Sequence, residues 1–394
     1  MTTSVRQTIA LFVDAYRELA AGKLFWITLI LSAAVASAFA AIGIDEQGFT
    51  ALWFRLDFIP ITSDTLPPSA LYKFLFFQFG MGIWLTWIAT ILGLITTAGM
   101  VPSLISSGVI DSMVAKPISR TRLFLTRYST GLLFATLQVL LFSAAAFLVL
   151  GLRGGEWLPK VFLAVPIVVV FYSYLFAIMA LVGLLTRSTI ASLLLTLLIW
   201  FVLFLINFAD ATLVGVDAQS RVRIETLQQT IARGEAEATR RIVQERESAG
   251  ESVPEGFRPD DEEIGEYNPF VPVLRNRLSD VEDQRAKLQP WVSAAYVVKT
   301  VLPKTGETIA LLERFVITEE EGQALVRAFS GNDEPEESTV DRESGRVSVS
   351  RSESQAEARR VFESRSMLWI LGTSLAFEGV VLVLCCVIFG RRDF

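Results

Sequence analysis

Residues 101–128, with the sequence VPSLISSGVIDSMVAKPISRTRLFLTRY, form a short polar segment between two long apolar runs. Pro102 and Ser103 are typical of a helix start, and Pro117 is a stop signal. Between these signals, apolar side chains recur at helical spacing, at Ile105, Val109, Ile110 and Met113. The segment therefore predicts a short amphipathic helix in a loop between two membrane spans.

Basic side chains close this segment and indicate its side of the membrane. They precede the next apolar run and are Lys116, Arg120, Arg122 and Arg127. Because cytoplasmic loops carry an excess of Lys and Arg, we expect the loop in the cytoplasm. Two interpretations follow from the residues alone. One is an ordinary loop whose charges set the topology, and the other is a docking helix that carries force from a soluble partner into the membrane.

The composition predicts a polytopic membrane protein with one large water-exposed part. Of the 394 residues, 52% are hydrophobic, and they are gathered into runs long enough to span a bilayer. The net charge of −6 arises from acidic residues in the block 210–363, whereas the loops predicted to be cytoplasmic are basic. Since no basic face occurs outside the loops that set topology, nucleic acid is excluded as a partner.

Several kinds of chemistry are excluded by residue type. The chain has no histidine, which excludes histidine proton relays, Ser-His triads and histidine-ligated metal sites. Its two cysteines, Cys385 and Cys386, are adjacent in an apolar run. The Gly22-Lys23 pair is followed by Leu24 and lacks the upstream glycine of a phosphate-binding loop. We therefore expect no catalytic residue, no metal site and no nucleotide site of this type in the chain.

The hydropathy pattern predicts an all-α fold with about six transmembrane helices and both termini in the cytoplasm. Residues 1–23 form an amphipathic helix on the cytoplasmic surface, with a signal peptide ending near residues 36–38 as the alternative. Spans one to five lie within 24–208, and the last span with its basic tail lies within 367–394. The predicted spans are 24–44, 72–100, 123–152, 161–185, 190–208 and 367–390.

That topology places residues 209–366 outside the cytoplasm, as a large and mostly helical insertion. Apolar stripes over 221–247 and 274–288, separated by a loop, predict a helical hairpin of the coiled-coil type. Because the stripes are narrow, we expect partner helices or a second copy to cover them. Residues 291–315 are more apolar, are broken by Pro303 and Gly306, and are expected to pack against the outer membrane surface.

One acid lies in the middle of the last predicted span. Glu378 is flanked by Phe377 and Gly379. An ionisable side chain at this depth is costly, so it indicates a functional site by default, such as a proton or cation site or a polar lining. The alternative is a protonated or hydrogen-bonded packing residue that faces Ser or Thr on a neighbouring helix. Both interpretations remain open at this stage.

Taken together, these features resemble the permeases of the ABC transporter type-2 family. The resemblance comes from the surface helix before the first span, the six spans, the large connection before the last span, the segment 116–120 with the sequence KPISR, and the terminal RRDF. It covers about 1–208 and 367–394. It implies a membrane subunit without its own ATPase domain, which pairs with itself or a homologue and docks separate ATPase subunits that bind ATP and Mg. The chain itself then carries no cofactor and is not an enzyme.

In such permeases the loop between the second and third spans is a coupling helix seated in a cleft of the ATPase. The resemblance places it at about 103–116, and the implied contact residues are Ser103, Ile105, Gly108, Val109, Asp111, Ser112, Lys116 and Arg120. The leading expectation is an export permease in the plasma or inner membrane, in contact with membrane lipids. The second is an ATP-driven mechanical or scaffold complex acting on an envelope partner through 209–366. The third is a secondary transporter that uses Glu378.

Overall fold

The computed structural model describes residues 3–52, 54–55, 62–63, 66–105, 119–254, 256–316, 338–341 and 346–391. The chain forms two compact units. The first comprises Met1–Asn207, Thr300–Asn332 and Met367–Phe394, and the second comprises Phe208–Lys299 and Asp333–Ser366. The stretch predicted as one insertion, 209–366, is thus divided, since Thr300–Asn332 belongs to the first unit.

Helices dominate both units, and two small antiparallel sheets accompany them. The helices are α1 Thr3–Ala21, α2 Lys23–Ala41, α3 Pro68–Phe74, a π-helix Leu75–Ala89, α4 Thr90–Thr97, α5 Pro102–Ile105, α6 Arg120–Arg153, a 3-10 turn Pro159–Leu163, α7 Ala164–Thr186, α8 Thr189–Ser248, α9 Asp261–Tyr267, α10 Phe270–Val301, α11 Thr305–Val316, α12 Arg351–Ser364, a π-helix Leu368–Gly372 and α13 Thr373–Arg391. The strands are β1 Ile42–Asp45, β2 Gly48–Ala51 and β3 Phe54–Arg55, in that order, and the pair β4 Thr339–Val340 and β5 Val347–Ser348.

Six helical segments are long and apolar enough to cross a membrane, which confirms the prediction of a multi-pass membrane protein. In chain order these first to sixth spans are Lys23–Ala41, Pro68–Ile105, Arg120–Arg153, Pro159–Thr186, Thr189–Ser248 and Leu368–Arg391. The fifth belongs to a helix of 60 residues. Because about 20 residues suffice to cross the hydrocarbon core, this helix continues well beyond the length that a bilayer requires.

Contacts at one end of the first unit bring α1 together with the ends of two spans. Arg127 near the start of the third span forms an ion pair with Glu18 of α1. The Arg120 guanidinium donates to the carbonyl oxygen of Gly390, near the end of the sixth span, at 3.4 Å. We call this end the Arg120 end.

The opposite end of the first unit contains the three-stranded sheet. The Tyr72 hydroxyl donates to the Ile42 carbonyl at 2.5 Å, and Arg153 donates to the Ala40 carbonyl at 3.1 Å. An ion pair of 2.8 Å joins Lys73 to Glu156 across the same end. The first and third spans end here and the second span begins here, so the first three spans run in alternating directions. We call this the Arg153 end.

Helix α11 departs from its predicted position. Residues 291–315 were expected to pack against the outer membrane surface, but α11 packs against the second, fourth and sixth spans. Thr308, Leu311 and Leu312 are fully buried there. The reason is physical: a helix of 12 residues is too short to be detected as a span, yet one whole face of it is covered by the bundle.

A glycine permits the closest contact between the third and fourth spans. A Cβ built at Gly131 would lie 2.4 Å from the ring of Phe176, closer than real Cβ contacts allow. Helix association in membranes depends on such small residues, because lipid tails give no hydrophobic driving force between helices. The aromatic rings of both spans therefore interlock only with glycine at this position.

The second unit has its own apolar core. Side chains of the predicted stripes are buried in it, among them Leu227, Ile231, Ala238 and Leu274. Ile264 of α9 joins this core, and Val340 and Val347 of the strand pair pack against it. The chain itself therefore supplies cover for the stripes, which had been expected to need partner helices or a second copy.

Candidate functional site

The structure describes both flanks of the predicted ATPase contact. Ser103 is half-buried and donates to the Met100 carbonyl at 3.2 Å, and Ile105 is buried in the core of the bundle. Arg120 lies at the Arg120 end, where it contacts Gly390. The remaining predicted contact residues lie outside the described residues; they are Gly108, Val109, Asp111, Ser112 and Lys116.

An open cavity of about 380 Å³ lies beside these flanks. Its walls include Glu18, Lys23, Thr96, Ser103 and Arg127. Arg127 is itself buried and is held by its ion pair with Glu18. The sequence indicated Arg127 only as a topology charge, and the acid partner on α1 was not foreseen. This pair attaches α1 to the third span beside the described flanks of the predicted coupling segment.

Glu378 lies at the meeting point of three spans. Its Oε1 accepts a hydrogen bond from the Tyr128 hydroxyl on the third span at 2.8 Å. Its Oε2 accepts from the Ser173 hydroxyl on the fourth span at 2.7 Å. The residue is 7% exposed. The serine partner is of the kind that the packing interpretation expected, whereas the tyrosine was missed.

Aromatic rings enclose this carboxyl. The Tyr128 ring stacks on Phe176 with centroids 5.0 Å apart, and Phe176 stacks in turn on Tyr172 at 5.7 Å. The Tyr172 hydroxyl shares a buried hydrogen bond of 2.6 Å with Thr97 of the second span. The Glu378 carboxyl and the hydroxyl groups of Tyr128, Ser173, Tyr172 and Thr97 are therefore hydrogen-bonded beside stacked aromatic rings, as expected where water is excluded.

Lys304, which directly precedes α11, is buried and contacts the sixth span one helical turn before Glu378. The backbone N–H of Lys304 donates to the Ser374 hydroxyl at 3.0 Å, and Ser374 precedes Glu378 by four residues. The Lys304 ammonium donates to the carbonyls of Thr300 and Leu302, both at 3.2 Å, and to the Thr373 hydroxyl at 2.5 Å. It also lies 4.5 Å from the centroid of the Trp369 ring. Carbonyl, hydroxyl and π-electron density thus compensate the buried cation.

Sequence reasoning missed Lys304, although a signal was present. Lys304, Thr308, Leu311 and Leu312 are all buried and recur at helical spacing. Such a face, polar at one end and apolar at the other, is typical of a helix that enters a bundle at its polar end. The two halves of the face were instead taken for a turn and an apolar surface.

Two acids organise the charges of the second unit. Asp210 accepts from Lys299 at 2.7 Å and from Arg365 at 2.8 and 3.0 Å, and all three side chains are buried. Asp217 accepts from Arg221 and Arg285, both at 2.9 Å, and from Gln289 at 2.8 Å. These networks were missed, because a charged segment reads as a solvated surface in sequence alone.

Arg275 and Tyr267, farther along the second unit, both have a raised pKa. Hydrogen bonds from Arg275 to Glu235 and then to Asp261 raise the pKa of this guanidinium, which is protonated in any case. The hydrogen bond from Tyr267 to Glu245 raises the pKa of the phenol. Neither group exchanges protons near neutral pH, so neither suits general acid–base chemistry.

Among the residues that the structure describes, no group of three or more acidic or cysteine side chains is placed to hold a metal ion. No protein-family model matches the chain, no curated protein matches it, and no solved structure resembles it.

Proposed function

We propose that this chain is the permease subunit of an ATP-binding-cassette exporter of the type-2 class. The observation that carries the proposal is the composition of the Arg120 end. There α1, both flanks of the segment 106–118 and the end of the sixth span lie together. The basic side chains at this end, Lys23, Arg120 and Arg127, favour the cytoplasmic side by the positive-inside rule.

This arrangement supports a route for mechanical coupling. A force applied to residues 103–116 would enter the second and third spans directly, because the segment connects them. The contact between Arg120 and Gly390 would carry it to the sixth span. The ion pair between Arg127 and Glu18 would carry it to α1. Each contact links a different helix to the start of the third span.

The proposal specifies the partners and the orientation. A separate ATPase binds ATP and Mg and docks at residues 103–116, so this chain performs no catalysis itself. A second permease, identical or homologous, completes the transporter, and membrane lipids surround it. Both termini lie in the cytoplasm, and the membrane is the plasma or inner membrane. The first test is purification in mild detergent, from which we expect a P-loop ATPase to co-purify.

Two variants sharpen that test. Asp111→Lys and Gly108→Trp should abolish ATPase binding while leaving membrane insertion intact. Asp14→Lys on the exposed face of α1 is the matched control, because it reverses a charge near the same end outside the proposed contact. Recovery of no P-loop subunit under conditions that preserve membrane complexes would contradict the proposal. Equal ATPase binding by all three variants would reject the assigned contact.

A second candidate is an ATP-driven mechanical complex that acts on an envelope partner. The 60-residue helix α8 favours it. At 1.5 Å per residue this helix is about 90 Å long, three times the hydrocarbon thickness of a bilayer. Site-specific cross-linking from exposed positions of the second unit tests this candidate, with Val273 as the first choice. Capture of one envelope protein, lost in the absence of ATP hydrolysis, would favour it over export.

A further inference from the structure

Four short oxygen–oxygen contacts surround Glu378. The Tyr128 hydroxyl lies 2.8 Å from Glu378 Oε1 and 2.9 Å from the Ser173 carbonyl oxygen. The Ser173 hydroxyl lies 2.7 Å from Glu378 Oε2 and 2.8 Å from the Val170 carbonyl oxygen. Each contact has the length of an O–H···O hydrogen bond, and each such bond requires one proton between its two oxygens.

Counting protons distinguishes the two forms of the carboxyl. A tyrosine or serine hydroxyl supplies one proton, and a backbone carbonyl supplies none. With an ionised Glu378, two protons serve four contacts, and two oxygen pairs face each other with lone pairs only. With a protonated Glu378, a third proton is present. Tyr128 can then donate to the Ser173 carbonyl while the acid donates to the Tyr128 oxygen and Ser173 donates to Oε2. Three of the four contacts then hold a proton, against two with the ionised acid, and only the contact between the Ser173 hydroxyl and the Val170 carbonyl has none.

The surroundings also disfavour an ionised form. Among the described residues, no lysine or arginine forms an ion pair with Glu378. A carboxylate buried in a bundle without an ion-pair partner is strongly destabilising, and neutralisation is the usual result. The buried Lys304 ammonium, which lies on the same side of the sixth span, binds carbonyl and hydroxyl oxygens instead. Hydroxyl groups on two neighbouring spans are suitable partners for a neutral acid, which can both donate and accept.

A metal cation does not fit between these oxygens. Oxygen ligands surround a cation such as Ca²⁺ at about 2.3–2.6 Å, which places neighbouring ligand oxygens farther apart than a hydrogen bond. Here the carboxyl oxygens are already in direct contact with the two hydroxyl groups, at 2.7 and 2.8 Å. The carboxyl oxygens and the two hydroxyl groups are therefore spaced for hydrogen bonds and not for metal coordination.

We infer that Glu378 is a proton-binding site in which a protonated carboxyl closes a hydrogen-bonded ring and thereby fastens the third, fourth and sixth spans together. The ring consists of the Glu378 carboxyl, the Tyr128 hydroxyl and the Ser173 hydroxyl with its carbonyl. The proton is retained in the bundle and is not transported. This inference goes beyond the proposed function and is independent of any ATPase partner.

Infrared spectroscopy of the full-length protein in lipid nanodiscs tests the protonation state. The wild type minus Glu378→Gln difference spectrum should contain the carbonyl stretch of a protonated carboxyl at neutral pH. Tyr128→Phe should shift that band to higher frequency, since it removes one hydrogen-bond partner of the acid. Glu156→Gln is the matched control, because Glu156 is paired with Lys73 and should contribute only a carboxylate band. A carboxylate band in the Glu378 difference spectrum would overturn the inference.

Thermal unfolding distinguishes a neutral ring from a buried charge. Gln retains one acceptor and one donor, so Glu378→Gln should melt within about 2 °C of the wild type. Glu378→Ala should melt several degrees lower, with Ser173→Ala in between. If Glu378→Gln instead melts several degrees higher than the wild type, a destabilising charge was removed and the inference fails.

Proton flux separates retention from transport. Proteoliposomes that carry the wild type and enclose a pH-sensitive dye should show the same proton flux as those with Glu378→Gln. A flux that is present in the wild type and lost in a Glu378→Gln protein of unchanged melting temperature would overturn the retained-proton role. That result would support the secondary transporter. Failure of the ATPase to co-purify would contradict the proposed function only and would not affect the inference about Glu378.

Discussion

Glu378 in the first unit and Asp210 in the second are both buried acids, but their surroundings differ in kind. Glu378 contacts two hydroxyl groups and aromatic rings. Asp210 lies between an ammonium and a guanidinium, with three charge-assisted hydrogen bonds. The same functional group is thus accommodated by a proton in one unit and by two cations in the other.

The difference follows from what each environment can supply. A transmembrane bundle admits few cations, because each costs free energy to bury, so a neutral acid with hydroxyl partners is the less costly solution. The second unit is rich in Arg and Lys, and the cations that reach Asp210 come from α10 and from the residue directly after α12. Asp210 therefore remains ionised and joins segments that are far apart in sequence. Each comparison below tests this contrast.

The largest effect should come from removing the charge of Asp210. Asp210→Asn leaves Lys299 and Arg365 buried without their acid, which should destabilise the second unit by about 3–5 kcal/mol. Limited proteolysis of the full-length protein should then cut within the second unit at lower temperature. The matched control is Asp280→Asn, since Asp280 is exposed and 3.9 Å from its partner Arg277. Equal resistance of both variants would show that the cations around Asp210 are stable without it.

An intermediate effect should come from a methyl group at Gly131. Gly131→Ala places a Cβ against the aromatic ring of Phe176, which stacks on Tyr128, a hydrogen-bond partner of Glu378. Overpacking of this kind costs about 1–3 kcal/mol. Gly215→Ala is the control in the second unit, where nothing lies within 4 Å of the added atom. It should be neutral or stabilising by up to about 1 kcal/mol through helix propensity. Detergent thermal melts compare the two, and a Gly131→Ala protein as stable as the control would contradict the described packing.

The smallest effect should come from an exposed ion pair of α12. The charged atoms of Arg359 and Glu363 are 2.7 Å apart, but their side chains are 42% and 40% exposed. Glu363→Gln should therefore cost less than about 0.5 kcal/mol, and the loss should vanish at high salt. Melting curves at low and high ionic strength measure it. A cost near that of Asp210→Asn would mean that burial is not what distinguishes the two acids.

Much of the fold was predictable because membrane spans are recorded locally in the sequence. A span requires only a long apolar run, so all six were found without knowledge of their neighbours. The helical hairpin of the second unit followed in the same way from the spacing of Leu227, Ile231 and Leu274. The sheet β1–β3 was missed, because its strands have only four, four and two residues and are too short to give a clear alternating pattern.

The partners of Glu378 were not predictable. Its position in a span marked it as unusual, and a hydroxyl partner was among the expectations. Yet Tyr128 and Ser173 are 250 and 205 residues away in sequence, and many hydroxyl side chains lie in the spans. Only the packing of the third, fourth and sixth spans selects these two. Lys304 differs in part, because the helical spacing of its face was a local signal, whereas its partner Thr373 on the sixth span is 69 residues away.

The buried position of α11 has a consequence for the order of synthesis. The partners of Lys304 on the sixth span are Thr373 and Ser374, which follow it in the sequence by 69 and 70 residues. Until the ribosome has released this last span, the polar start of α11 lacks its hydroxyl partners there, although the second and fourth spans against which α11 also packs are already made. The polar contacts that fasten the start of α11 to the sixth span are therefore formed late in biogenesis, and a nascent chain that stops before residue 368 would lack them.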